Sequence, residues 1–188
     1  IQKKLLKKNY DLLAETNREL LVCHDGNNSD DKEMAELISC DKFYYQKGDN
    51  LGDKMYNALE EVISDSKVIL LGSDIFNLDK DIIEEAFEKL ETHDVVINPS
   101  EDGGYFLIGM KKAIKEVFDL PSYGDSSVLE NLIKVLEKNN LTYYLGRAAL
   151  DIDIKEDLLY AETGYKNIKL LGAGEYNINF TFDEDNMK

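Results

Sequence analysis

The segment Val68-Ile69-Leu70-Leu71-Gly72-Ser73-Asp74 constrains this chain more than any other. Four consecutive aliphatic residues between polar stretches fit a strand buried on both faces, and such strands belong to sheets covered by helices on each side. Gly72 lets the chain turn where the strand stops, and Asp74 then projects from the strand's carboxyl end. In open α/β sheets that edge is where ligands bind. A carboxylate there suits a divalent metal that holds a phosphorylated substrate.

The rest of the chain reads as the surroundings of such a strand. Leu5, Leu6, Leu12 and Leu13 among lysines predict an amphipathic helix over 3–16. A strand over 19–23, a turn at 25–28, a short helix over 31–38 and a short strand over 42–45 follow. Asn50 is placed to cap a helix running to about residue 63, and Asp79 to cap the next, with Ile82, Ile83, Ala86, Phe87 and Leu90 facing inward. Strands are expected over 94–97, 105–109 and 142–145, a helix over 128–136, and a further helix start over 154–161. This alternation predicts an α/β protein, a mostly parallel sheet with helices on both faces. With 188 residues, one domain with a substantial core is expected. Around Glu162-Thr163-Gly164 the alternation stops. Residues 168–182 read as strand, glycine-rich turn and strand, which makes this a candidate boundary between 1–163 and 164–188.

Charge narrows the partners. The chain carries 22 Lys and Arg against 38 Asp and Glu, a formal net charge of −16. That argues against a nucleic-acid backbone or an anionic membrane, both of which need clustered cations. It permits a nucleotide, because a bound metal can supply local positive charge. No apolar run is long enough to span a bilayer, and no secretory signal pattern is present. Cys23 and Cys40 lack metal-ligand spacing and read as reduced, partly buried thiols of a cytoplasmic protein.

Three acidic segments lie beside expected strands: Gly72-Ser73-Asp74, Ser100-Glu101-Asp102-Gly103-Gly104-Tyr105 and Asp151-Ile152-Asp153-Ile154-Lys155-Glu156-Asp157. Transfer of a phosphorylated group with Mg²⁺ or Mn²⁺ needs only one or two protein carboxylates, since the substrate's phosphates supply further oxygens. Each segment also has a purely structural reading. Asp74 fits a loop or helix-capping carboxylate. Asp102-Gly103 is a standard tight-hairpin signal. Asp153, with Glu156 three residues on, fits a capping box. Paired Gly103 and Gly104 would equally let a sugar or acceptor lie against the backbone, with Asp102 near its hydroxyls.

Taken in order, four stretches carry a family resemblance. They are Gln46-Lys-Gly-Asp-Asn-Leu-Gly-Asp-Lys-Met55, Leu70-Leu-Gly-Ser-Asp74 with Leu78, Asn98-Pro-Ser-Glu-Asp-Gly-Gly-Tyr-Phe-Leu-Ile-Gly109 and Asp151-Ile-Asp-Ile-Lys-Glu-Asp-Leu158. Together, over roughly residues 1–161, they resemble the bacterial family of GT-A-like nucleotide-sugar glycosyltransferases associated with arsenosugar biosynthesis. The resemblance implies a nucleotide-diphospho-sugar transferase fold, a three-layer α/β/α sandwich with a mixed, mostly parallel sheet. It implies that Asp74 and Asp153 are metal-side aspartates for Mg²⁺ or Mn²⁺, and that Asp102, the candidate catalytic residue, lies with Gly103 and Gly104 on the sugar or acceptor side. It places Gln46, Gly48, Gly52 and Ser73 near a nucleotide-sugar donor, with Gly52 and the following helix start approaching phosphate. Phe76 stands where the family usually has a proline. The family opens with a strand and a nucleotide-binding loop that this sequence, beginning at Ile1, does not include. Sugar transfer to a small acceptor is the leading expectation. The alternatives are a nucleotidyltransferase of the molybdenum-cofactor guanylyltransferase type and a catalytically silent nucleotide-sugar-binding domain. Leu171-Gly172-Ala173-Gly174-Glu175-Tyr176-Asn177-Ile178-Asn179-Phe180 resembles the opening glycine-rich hairpin of aminoglycoside/choline-kinase-like phosphotransferases, which implies a fused kinase-like domain.

Overall fold

Two strands buried at every position but Tyr105 form the centre of the molecule, β4 (Val95–Pro99) and β5 (Tyr105–Met110). A computed structural model describes residues 2–26, 31–40, 43–64 and 66–149, with two short strands at 168–169 and 177–178. The preceding elements are α1 (Gln2–Ala14), β1 (Val22–His24), α2 (Asp31–Leu37), β2 (Phe43–Tyr45), α3 (Leu51–Val62), β3 (Val68–Leu71) and α4 (Lys80–Lys89). After β5 come α5 (Lys115–Phe118), α6 (Val128–Lys138), β6 (Tyr143–Leu145), β7 (Ile168–Lys169) and β8 (Asn177–Ile178).

The main sheet has the order β3-β5-β4-β6. Strand β5 is antiparallel to both β3 and β4, while β6 is parallel to β4. So β3, β4 and β6 point one way, with β5 reversed between them. The sheet is mixed, as expected, and the reversal has a local cause. Only residues 100–104 separate β4 from β5, too few for a crossover and enough for a hairpin. Strands β1 and β2 form a separate parallel pair, Val22 opposite Phe43.

Residue alternation along the strands builds two cores. Val96 and Leu107 lie on one face with Ile82, Ile83, Ala86 and Leu90, and Leu12 and Leu13 of α1 pack against them. Val95, Ile97, Ile108 and Met110 lie on the other face with Leu59 of α3, Val117 and Phe118 of α5, and Leu132 and Leu136 of α6. Each fully buried aliphatic side chain stabilises by roughly 1.5–3 kcal/mol, more than any single cap. These clusters therefore set the three layers, and the caps set only where helices begin. Asn50 Oδ1 accepts from Asp53 N–H at 2.9 Å, and Asp79 Oδ1 from Ile82 N–H at 2.9 Å, the two caps expected from sequence.

The one-turn helix α5 is not foreshadowed, because four residues carry no readable periodicity. Strand β1 begins at Val22, later than the expected start. The expected helix over 154–161 lies outside the described residues. Strands β7 and β8 pair antiparallel, Ile168 opposite Ile178. Among the described residues no helix is long and apolar enough to cross a membrane.

Candidate active site

The sheet register brings separate segments to one edge. Leu71 at the end of β3 pairs with Leu107 near the start of β5, and Gly72 N–H donates to Phe106 O at 2.9 Å. Strand β4 ends at the same edge and turns directly into β5. Beyond β6 the chain continues alongside, with Ser100 bridged to Ala149. The loop carrying Asp74, the turn carrying Asp102 and the segment 146–149 therefore lie together, at the carboxyl ends of three parallel strands.

Asp74 is half-buried and folds back toward Gly72, where an added Cβ would lie 3.2 Å from its Oδ1. Among the described residues its carboxylate has no hydrogen bond and no ion pair. The loop around it is nevertheless well held. Ile75 and Leu78 are buried in the α4-side core. Asn9 of α1 donates through Nδ2 to Ile75 O at 2.9 Å and to Ser73 O at 3.4 Å. Lys8 Nζ donates to Phe76 O at 2.7 Å. Ser73 itself is exposed.

Asp102 is exposed but engaged. Its Oδ1 accepts from Ser100 Oγ at 2.5 Å and from Gly104 N–H at 2.9 Å. Ser100 N–H donates to Gly104 O, and Gly103 N–H to Ser100 O, which closes the turn. Gly103 has φ +91°, and a Cβ there would sit 2.7 Å from Ser126 Cα, so both conformation and space exclude a side chain. Gly103 O also accepts from Leu129 N–H in the first turn of α6. The hairpin reading of Asp-Gly thus accounts for this segment's geometry, while Asp102 Oδ2 has no partner among the described residues.

Gln46 N–H donates to His24 O at 2.9 Å, continuing the β1–β2 ladder. Gly48, exposed with φ +136°, turns the chain onto α3. Gly52 is buried. A Cβ there would run into Phe118 O and come 2.9 Å from the Tyr123 ring. The position is glycine because α3 packs closely on the α5 region. The first turn of α3 also holds its own carboxylate, Asp53, which Lys115 Nζ approaches at 2.8 Å. Tyr105 Oη lies 3.6 Å from Met55 Sδ, which sets this end of α3 beside the start of β5.

Asp153 lies outside the described residues. Among those described, no group of three or more His, Cys, Asp or Glu could hold a metal. Among the described residues Asp74 thus has no companions for an all-protein cage. A single, otherwise unengaged carboxylate fits the Mg²⁺ pattern in which one or two carboxylates bind and phosphate oxygens and waters complete the octahedron.

Other polar groups have structural explanations. Gly26 N–H donates to His24 Nδ1 at 3.1 Å and Nε2 lies 3.0 Å from Asp31 Oδ1, so both ring nitrogens are engaged within the fold. His93 lies just before the amino end of β4, far along the strand from Asp74, with Nδ1 3.0 Å from Lys89 O. Burial pushes the Tyr105 hydroxyl well above its ordinary range and Tyr123 up to about 12, so neither ionises near neutral pH. Cys23 and Cys40 form no disulfide among the described residues and are half-buried, and burial raises the Cys23 thiol. Sequence reasoning missed Asn9 and Arg147. Arg147 follows β6 and donates to Asp79 at 3.2 and 3.3 Å. Nothing in its local sequence marks it. Asn9 did leave a signal, as a polar residue in the apolar stripe Leu5, Leu12 and Leu13.

Known proteins share this architecture. The 2-phospho-L-lactate guanylyltransferase of Methanocaldococcus sp. (strain FS406-22) is 32% identical over 136 residues, covering 69% of this chain and 58% of that protein. The enzyme of the same name from Methanocaldococcus jannaschii is 33% identical over 116 residues, 60% of this chain and 50% of that protein. The chain spans about half the length of the curated relatives it matches. A solved structure from Desulfovibrio desulfuricans G20, provisionally described as a nucleotide-diphospho-sugar transferase, superposes with a TM-score of 0.78 at 25% identity. It covers 85% of this chain and 72% of that one. The fold is accordingly of the nucleotide-diphospho-sugar transferase type. The sequence profile of the bacterial family DUF2064, described as an uncharacterized protein conserved in bacteria, matches residues 9–125, and the chain belongs to that family.

Proposed function

We propose that this domain serves metal-assisted nucleotidyl transfer from a nucleoside triphosphate to a small phosphorylated acceptor. The observation that carries the reading is Asp74, a carboxylate without an intramolecular partner among the described residues, on a loop tied down at the ligand-binding edge. The named activity of the curated relatives supports nucleotidyl transfer over sugar transfer. In this reading an acceptor phosphate oxygen attacks the α-phosphorus, the α–β phosphoanhydride bond breaks, and pyrophosphate leaves. Asp74 holds Mg²⁺ or Mn²⁺, with Asp153 as the second candidate, and the metal would neutralise charge gathering on the leaving pyrophosphate. In a chain of net charge −16 such a cation would supply local positive charge for a polyphosphate. Ser73 and the Asp102 turn flank Asp74, and Asp102 Oδ2 is available to orient an acceptor hydroxyl.

A second reading, sugar transfer from a nucleotide-diphosphate donor, is supported by the Desulfovibrio neighbour. One assay separates them. The full-length protein is incubated with Mn²⁺, nucleoside triphosphates, phosphorylated small acids and a panel of nucleotide sugars. Pyrophosphate release from a triphosphate is the expected result. Nucleoside diphosphate release from a sugar donor would replace it with sugar transfer. Absence of calorimetric binding to either class, with and without metal, would leave only a silent scaffold.

A further inference from the structure

Helix α1 grips the Asp74 loop through two adjacent side chains. One amide group, Asn9 Nδ2, reaches Ser73 O at 3.4 Å and Ile75 O at 2.9 Å, and so straddles the residue between them. Lys8 Nζ reaches Phe76 O at 2.7 Å and lies 5.2 Å from the centre of the Phe76 ring. Asn9 is 3% exposed, in line with Leu5 and the Leu12-Leu13 pair, and its Oδ1 has no partner among the described residues. A buried acceptor without a partner costs stability, and a leucine here would simply continue the apolar stripe. Folding alone therefore does not favour an amide at this place. The loop does, because an amide supplies two hydrogens for two carbonyls.

We propose that Asn9 is a positioning residue that fixes the backbone on both sides of Asp74, so that its carboxylate meets a divalent cation in one orientation. The proposal rests on the reading of Asp74 as the metal-side carboxylate. Groups that orient a metal ligand characteristically set affinity by about 10–100-fold.

The test uses full-length protein, Mn²⁺ binding followed by electron paramagnetic resonance of the free ion, and amide hydrogen exchange of residues 72–77 without metal. Asn9→Leu should speed exchange in the loop and weaken Mn²⁺ binding by about 10–100-fold. Lys8→Met, at an exposed position, should act in the same direction and less strongly, and it carries the test if Asn9→Leu does not fold. Unchanged exchange and unchanged Mn²⁺ affinity in the folded variants overturn the proposal. So does a loosened loop that still binds Mn²⁺ normally while Asp74→Asn does not. If wild-type protein and Asp74→Asn bind Mn²⁺ equally, the metal reading itself fails, and exchange then reports the tether separately.

Discussion

Asp74 and Asp102 lie at one edge of the same sheet, each just past a strand and beside a glycine, yet they relate to their loops in opposite ways. Asp102 builds its own turn, because its Oδ1 accepts from Ser100 Oγ and Gly104 N–H. The Asp74 loop is built by others: Asn9 and Lys8 hold its carbonyls, and Ile75 and Leu78 anchor it in the core. A carboxylate that holds its loop is already engaged. One whose loop is held from outside can be offered to a ligand without loosening the fold. The difference gives Asp102 structural work in its turn, and it is what supports the proposed ligand role of Asp74.

The largest expected effect comes from removing the Asp74 charge. Asp74→Asn should abolish metal-dependent nucleotide binding and lower turnover by at least about a hundredfold, roughly 2.7 kcal/mol. Its melting temperature should stay within about 2 °C of wild type, since no intramolecular bond among the described residues is lost. Calorimetric titration with and without Mn²⁺, beside a thermal melt, checks both. A melt lowered by many degrees with binding intact would make Asp74 structural and erase the contrast.

Gly103 tests the other loop. Alanine there meets both φ +91° and the Ser126 backbone at 2.7 Å. The expected cost is about 2 kcal/mol, a fall of about 4–8 °C for a domain of this size. The turn also anchors α6, because Gly103 O accepts from Leu129 N–H. Hydrogen exchange should therefore rise at the start of α6 as well as in the turn. A Gly103→Ala protein that melts normally but no longer binds nucleotide would return this glycine to the substrate side.

How much of this could be read from the chain depends on how local the cause is. The buried strand over 68–71, the Asn50 and Asp79 caps and the inward face of α4 each follow from residues within a few positions of one another. The edge location of Asp74 was legible for the same reason. The packing of Gly52 is not legible in the chain, because its neighbours Phe118 and Tyr123 are distant in sequence and α5 is too short to announce itself. The work of Asn9 was hidden because its acceptors lie 64 and 66 residues away. The Asp-Gly pair pointed at once to a turn and to a sugar site, and only the bonds to Ser100 and Gly104 show the turn in place.

That ambiguity defines the smallest effect. Asp102→Asn keeps an oxygen where Oδ1 accepts from Ser100 and Gly104, so stability should be nearly unchanged. Asp102→Ala removes both bonds and should cost about 1 kcal/mol, some 2–4 °C in the melt. The pair separates the roles of the two oxygens. If Asp102 only holds the turn, nucleotide and acceptor binding follow stability, so asparagine is silent and alanine mildly impaired. If Oδ2 also orients an acceptor, asparagine raises the KM for acceptor while leaving the melt and the KM for nucleotide unchanged. A steady-state comparison of the two variants decides whether the turn carboxylate shares in the chemistry proposed for Asp74.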